Sequence, residues 1–189
     1  MTQATSLHLH TDALREAIPT LHVGQNIYLH GTVFTARDAA HKRLCAMIQE
    51  GKELPFQLKD AVIYYAGPTP TKPNGRIGSI GPTTSSRMDR FAPVLLANGL
   101  VAMIGKGNRN EDVCNAIRSH NGIYFCASGG LGALISKSVI SCEEIAFAEL
   151  GCESIKRLTI EAMPVTVAIL PNGDNIFELK DQNEHAKNY

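Results

Sequence analysis

The chain has 189 residues, of which 18 are basic and 18 acidic, so its formal net charge is zero. That balance excludes a broad basic surface for nucleic acid or anionic lipid, and no apolar run approaches the roughly 20 residues that span a bilayer. Hydrophobic residues make up 44% with no Trp, which suits one well-buried core and leaves too little chain for two full domains.

In chain order, an N-terminal arm (residues 1–20) holds a short amphipathic piece, Asp12 to Ile18, ended by Pro19. The polar start Met1 to Ser6 is no secretory leader, so a soluble, intracellular protein is expected. Asn26 to Phe34 reads as a strand. Thr35 then opens a helix, with Asp38 at capping-box spacing and Leu44, Met47 and Ile48 as its apolar face. Ala61 to Ala66 is a buried strand. The Pro-rich stretch Gly67 to Pro73 with Asn74-Gly75 predicts a turn before a further short strand, Ile77 to Ile80.

Met88 to Ala97 is helical. Pro93 predicts a kink or two abutting short helices, and Asn98-Gly99 a stop. Leu100 to Ile104 is a strand, Glu111 to His120 a helix ended by Asn121-Gly122, and Ile123 to Ala127 another strand. Gly129-Gly130-Leu131-Gly132 then opens a helical piece, Ala133 to Lys137. G-G-x-G lacks full dinucleotide-binding spacing, so close helix-to-sheet packing is the better reading. From Ser138 the chain turns β-rich: Val139 to Phe147, Ile155 to Glu161, Val165 to Leu170 and Asn175 to Leu179, the last two joined by the hairpin signal Pro171 to Asp174. Residues 181–189 form a polar tail. The sum is one α/β domain with a mixed sheet and helices on one side.

The cysteines (Cys45, Cys114, Cys126, Cys142, Cys152) are widely spaced without a C-x-x-C pair. They read as structural thiols in a reducing compartment, Cys45 and Cys114 on helices and Cys126 on a strand. His8 and His10 could ligate a metal from one strand face, but a lone H-x-H near a terminus is more often incidental. No metal of the chain's own is expected.

The most informative segment is Gly81-Pro82-Thr83-Thr84-Ser85-Ser86-Arg87. Hydroxyls at a helix start and a planar Arg fork suit a carboxylate or phosphate oxygen. Thr35 to Arg43 and Ile104 to Arg109 likewise place cations at strand-to-helix corners, where ligands collect in α/β folds. In a chain of balanced charge, three such corners define a local anion site for a small, multiply charged acid.

With these segments assembled, the chain resembles the β subunit, or C-terminal domain, of the iron–sulfur (class I) fumarate hydratases and their tartrate dehydratase relatives. The resemblance is carried by Gly24 to Val33, Thr35 to Arg43, Ala66-Gly67-Pro68, Gly81 to Asp89, Gly105 to Arg109 and Glu149-Leu150-Gly151. It spans roughly residues 20–180 and implies a swivelling β/β/α domain over residues 21–180. It further implies a cytoplasmic β subunit that works with an α subunit in an α2β2 assembly. The [4Fe–4S] cluster would sit on the α subunit, with no cofactor on this chain.

By motif, Arg37, Thr83, Arg87 and Lys106 fall on the substrate-contacting positions, with Thr83 the candidate for proton handling through its hydroxyl and amide. Two guanidiniums and an ammonium can neutralise two carboxylates. His41, one helical turn beyond Arg37, could orient it, although a solvated or core histidine is the blander reading. The implied reaction is reversible hydration of fumarate to L-malate. Tartrate dehydratase, mesaconate hydratase and a non-catalytic dicarboxylate-binding module are the alternatives. Fumarate is favoured over tartrate because the motifs continue as Arg87-Met88-Asp89 and Lys106-Gly107-Asn108-Arg109.

Overall fold

The computed structural model describes residues 7–69, 77–128, 130 and 132–179. Its strands are β1 (Leu7–His10), β2 (Asn26–Thr35), β3 (Val62–Tyr64), β4 (Ala102–Gly105), β5 (Ile123–Cys126), β6 (Val139–Ala146) and β7 (Ile155–Ile169). The helices are α1 (Leu14–Ala17), α2 (Asp38–Gln49), α3 (Ala92–Ala97), α4 (Glu111–His120) and α5 (Gly132–Ile135), with short 3-10 turns between. Strands β2 to β5 lie side by side and parallel. The crossovers between them carry α2, α3 and α4 in turn. Strand β7 runs antiparallel to both β2 and β5. The sheet therefore closes into a ring, and β1 and β6 extend it alongside β2 and β7. Closure satisfies backbone groups that open edges would leave to solvent.

Alternation along each ring strand divides the apolar residues between two clusters. One includes Ile27, Leu29 and Val33 of β2, Val62 and Tyr64 of β3, Ile104 of β4 and Phe125 of β5, joined by Leu14, Ile18 and Leu21 of the N-terminal segment. The other lies under the helices. Ile63, Tyr65, Met103 and Tyr124 meet Leu44 of α2, Leu95 of α3 and Ile117 of α4 there. No helix among the described residues is long and apolar enough to cross a membrane.

Several expectations need correction. Ile155 to Glu161 and Val165 to Leu170 form one 15-residue strand. Leu158 and Ile160, then Met163, Val165 and Val167, enter the same cluster, so the alternation changes phase between them. The change occurs at Ala162 (φ 51°), opposite the register shift between Leu29 and Gly31. A bulge of this kind inserts a residue without ending the strand. Thr35 does not open α2. It is the last residue of β2, and its hydroxyl accepts from the Lys156 amide at 3.0 Å. Residues 77–80 are not a strand: the Ile80 amide donates to the Gly132 carbonyl at 3.2 Å, and Ser79 O accepts from Thr69.

Asn175 makes only an isolated bridge to Ile169 before residues 176–179 turn helical. Its Oδ1 caps the Phe177 amide at 3.0 Å, so local capping overrides the hairpin pattern. The turn before it is present, with Gly173 N donating to Leu170 O at 3.1 Å. The two abutting short helical segments around Pro93 are found, as Ser85–Met88 and Ala92–Ala97. Asn121 ends α4 in the left-handed conformation, φ 54°. Most of the turn over 67–76 and the tail over 181–189 lie outside the described residues.

Candidate active site

The four candidate residues come from the carboxyl ends of three adjacent parallel strands, where an α/β fold gathers its ligand-binding loops. Arg37 follows β2 and is the N-cap residue of α2. Thr83 and Arg87 belong to the long connection after β3, and Lys106 directly follows β4.

Main-chain pairing brings Thr83 and Lys106 together. Thr84 forms a parallel bridge with Lys106. The Ser85 amide donates to Lys106 O at 2.9 Å and the Lys106 amide to Thr83 O at 3.4 Å. This approach requires glycine at 105, because a Cβ there would lie 2.0 Å from Ser85 Oγ. The Ser85 hydroxyl and the Gly107 carbonyl each lie 2.8 Å from Tyr124 Oη, which ties the segment to β5.

The pairing also revises the expected role of the Thr83 amide. It donates to the Tyr65 carbonyl at 2.6 Å, so only the hydroxyl of Thr83 remains for a ligand. The residues after it form a four-residue 3-10 turn. The Thr83 and Ser85 amides are thus both spent on main-chain carbonyls at this corner.

Both candidate guanidiniums face carboxylates of this chain. Arg37 Nη2 lies 3.2 Å from Glu153 Oε1, while Glu153 Oε2 accepts the Ala39 amide at 3.2 Å. Glu153, reaching in from the turn before β7, thus caps α2 in place of Thr35. Arg87 Nε donates to Asp38 Oδ1 at 3.0 Å and its Nη2 stands 2.9 Å from Oδ2. Arg87 is half-exposed and Arg37 largely covered, so the Arg87 pair is the more easily exchanged. Lys106 is exposed and has no ion-pair partner among the described residues. The Arg37–Glu153 and Arg87–Asp38 pairs were not foreseen in the sequence, although Asp38 stands directly after Arg37.

Arg109, in the third cationic corner, does not face the site. Its side chain is fully buried, and its Nε donates to Asp89 Oδ1 at 2.7 Å. The guanidinium carbon stands 5.3 and 5.0 Å from the ring centroids of Tyr65 and Tyr124. Asp89 Oδ2 also accepts the Asn110 amide at 2.9 Å, so the pair shapes the loop that carries Lys106.

His41 is fully buried beneath Arg37, and its Nδ1 lies 2.9 Å from the Arg37 carbonyl. Burial is the main cause that pulls its pKa down to about 4, with the positive charge of Arg109 acting in the same direction. His8 pairs with His30, ring nitrogens 2.8 Å apart, while His10 meets Asp12. Among the described residues no group of three or more His, Cys, Asp or Glu side chains is placed to hold a metal ion. The cysteines are dispersed, with Cys45 buried in α2 and Cys142 and Cys152 exposed.

Four parallel strands, closed into a ring by antiparallel β7, carry two guanidiniums, an ammonium and a hydroxyl in the connections at one end of an α/β domain. The family model for the Fumarase C-terminus matches residues 1–180, and the chain belongs to that family. It is 38% identical over 158 residues to the anaerobic class I fumarate hydratase of Escherichia coli (strain K12), covering 82% of this chain and 29% of that protein. It is 34% identical over 168 residues to fumarate hydratase 2 of Leishmania major, covering 88% and 30%. A Methanocaldococcus jannaschii protein, provisionally named L(+)-tartrate dehydratase subunit beta, is 33% identical over 179 residues and covered to 92% on both sides. The chain thus spans about 30% of the length of the fumarate hydratases and nearly all of the subunit-sized relative.

Proposed function

We propose that this chain is the β subunit of a hydro-lyase that interconverts fumarate and L-malate in the cytoplasm, active together with an α subunit that carries the [4Fe–4S] cluster. The observation that carries this reading is the convergence of Arg37, Thr83, Arg87 and Lys106 at the carboxyl ends of β2, β3 and β4. The name of the subunit-sized relative, a subunit beta, supports a partner.

In this reading Lys106 takes the first carboxylate, being free of a competing carboxylate among the described residues. Arg87 exchanges its half-exposed contact with Asp38 for the second. Arg37, held by Glu153, contributes a fixed positive charge close to the helix N-terminus. Charge that develops on a substrate carboxylate when the adjacent carbon loses its proton is stabilised by these cations. Thr83 offers its hydroxyl at the reacting edge. A free hydroxyl is a weak base, so it acts with a group from the partner or with Lys106 beside it.

Tartrate dehydration is the second reading, favoured by the full-length match to the subunit-sized relative. Fumarate is preferred on the motifs Arg87-Met88-Asp89 and Lys106-Gly107-Asn108-Arg109, in which Asp89 and Arg109 form a buried pair. Tartrate also brings an extra hydroxyl, and leaving it unpaired in a closed site costs about 1–3 kcal/mol. The test is anaerobic reconstitution with the α subunit, followed by steady-state assays on L-malate, fumarate, mesaconate and both tartrate enantiomers. The expected result is activity only in the complex, with kcat/KM highest for the fumarate–malate pair. A higher kcat/KM for tartrate overturns the substrate, and hydratase activity with stoichiometric iron in the isolated chain overturns the division of labour.

A further inference from the structure

The Arg37 carbonyl accepts two hydrogen bonds from one residue. The His41 amide donates at 2.9 Å, and His41 Nδ1 lies at the same distance. A carbonyl only accepts, so the ring proton resides on Nδ1 and Nε2 carries the lone pair. Nε2 is buried without a hydrogen-bond partner among the described residues. His41 and Arg109 both approach the ring of Tyr65. His41 meets Tyr65 edge-on at 5.1 Å and the Arg109 guanidinium stands 5.3 Å from the Tyr65 centroid. The Phe91 ring lies 6.0 Å from the His41 ring.

Arg37 is an N-cap without a side-chain cap of its own, in an extended conformation (φ −120°, ψ −164°). Nothing in its own side chain holds the peptide that joins it to Asp38; the His41 amide and the imidazole below do. That peptide aims two ion pairs, Arg37 with Glu153 and Asp38 with Arg87. We propose that His41 is the positioning residue of the anion site: its neutral, Nδ1-protonated ring clamps the Arg37 carbonyl and so directs Arg37 and, through Asp38, Arg87. The inference deepens the proposed function and rests on its assignment of those guanidiniums to carboxylate binding.

Charged and titratable groups face the ring from each packed element. Arg37 and Asp38 stand at the start of α2, Tyr65 follows β3, and Arg109, itself paired with Asp89, follows β4. The positive charge of Arg109 and the apolar surroundings keep a second proton off the ring.

Two measurements test the proposal. Long-range ¹⁵N–¹H correlation spectra of the full chain should show His41 as the Nδ1–H tautomer, unchanged between pH 8 and pH 5. An Nε2–H tautomer, or titration near pH 6.5, overturns it without reference to catalysis. In the reconstituted complex, His41→Phe keeps the ring but removes the donor. It should raise KM for L-malate about tenfold with a smaller change in kcat, the loss expected for one hydrogen bond. His41→Asn, whose amide nitrogen stands where Nδ1 does, should restore most of that loss. If Arg37→Ala and Arg87→Ala raise KM while His41→Phe does not, positioning by His41 is wrong. If neither arginine variant affects KM, the carboxylate assignment itself has failed.

Discussion

Individual side chains divide into those that meet the ligand and those that hold them, and substitutions separate the two. Arg87 is half-exposed and paired with Asp38, so its loss should change stability by no more than about 1 kcal/mol. Its loss should cost far more in function. Arg87→Lys keeps the charge but not the fork, and kcat/KM of the complex should fall roughly 10- to 100-fold. Unchanged kinetics in Arg87→Ala would remove the residue from the site. Thr83 is simpler than its sequence suggests, because its amide is spent on Tyr65. Thr83→Ser should therefore retain most activity and Thr83→Ala lose it, and equal activity of the two would end the role of the hydroxyl.

His41 adds a pH signature. Its folded pKa of about 4 lies below the ordinary 6.5, so between those values the unfolded chain binds the extra proton and the folded one does not. Stability is thus lost as pH falls from 6.5 toward 4, by about 3 kcal/mol over the whole window, and is unaffected above it. Urea unfolding at pH 7 and pH 5 should show a smaller loss for His41→Asn than for the wild-type chain. Parallel behaviour of the two would refute the assignment.

At the scale of elements, the site depends on how closely the Thr83 segment approaches the end of β4. Gly105 permits that contact, and a methyl group there meets Ser85 Oγ at 2.0 Å and Tyr65 Cδ2 at 2.9 Å. Gly107, two residues on, has open space around it but a φ of 83°. Gly107→Ala should cost about 1 kcal/mol of backbone strain. Gly105→Ala should displace the Thr83 segment and abolish activity at much larger cost. Thermal unfolding and kinetics of the pair provide the comparison, and a benign Gly105→Ala would mean that the approach is not required. The Lys106 loop has its own anchor in Asp89. Asp89→Ala leaves the Arg109 charge buried and unpaired, which should destabilise the chain by about 3–5 kcal/mol. Denaturant midpoints check this.

Across the whole molecule, β7 ties the structure together, because it pairs with β2, β5 and β6. Both apolar clusters draw on it, through Leu158 and Val167 in one and Ile155 and Ala168 in the other. Neither cluster can open without disrupting that strand, so unfolding should be one cooperative transition. Far-UV circular dichroism and the near-UV signal of the buried tyrosines should coincide through the melt. Two resolved transitions would show that the clusters fold independently.

The sequence by itself determined an α/β domain with a mixed sheet, the strands near Asn26 to Phe34, Ala61 to Ala66, Leu100 to Ile104 and Ile123 to Ala127, and the helix from Glu111 to His120. These depend on local patterns such as alternation in Asn26 to Phe34 and the Asn121-Gly122 stop. Tertiary structure alone decided which polar groups were still available. Arg109 and Lys106 stand three residues apart, yet one is buried against Asp89 and the other is exposed. The Glu153 carboxylate reaches Arg37 across more than a hundred residues, and Thr83 spends its amide on a carbonyl supplied by β3's end. Periodicity records which face a side chain takes; partners distant in sequence are set by how the ring closes.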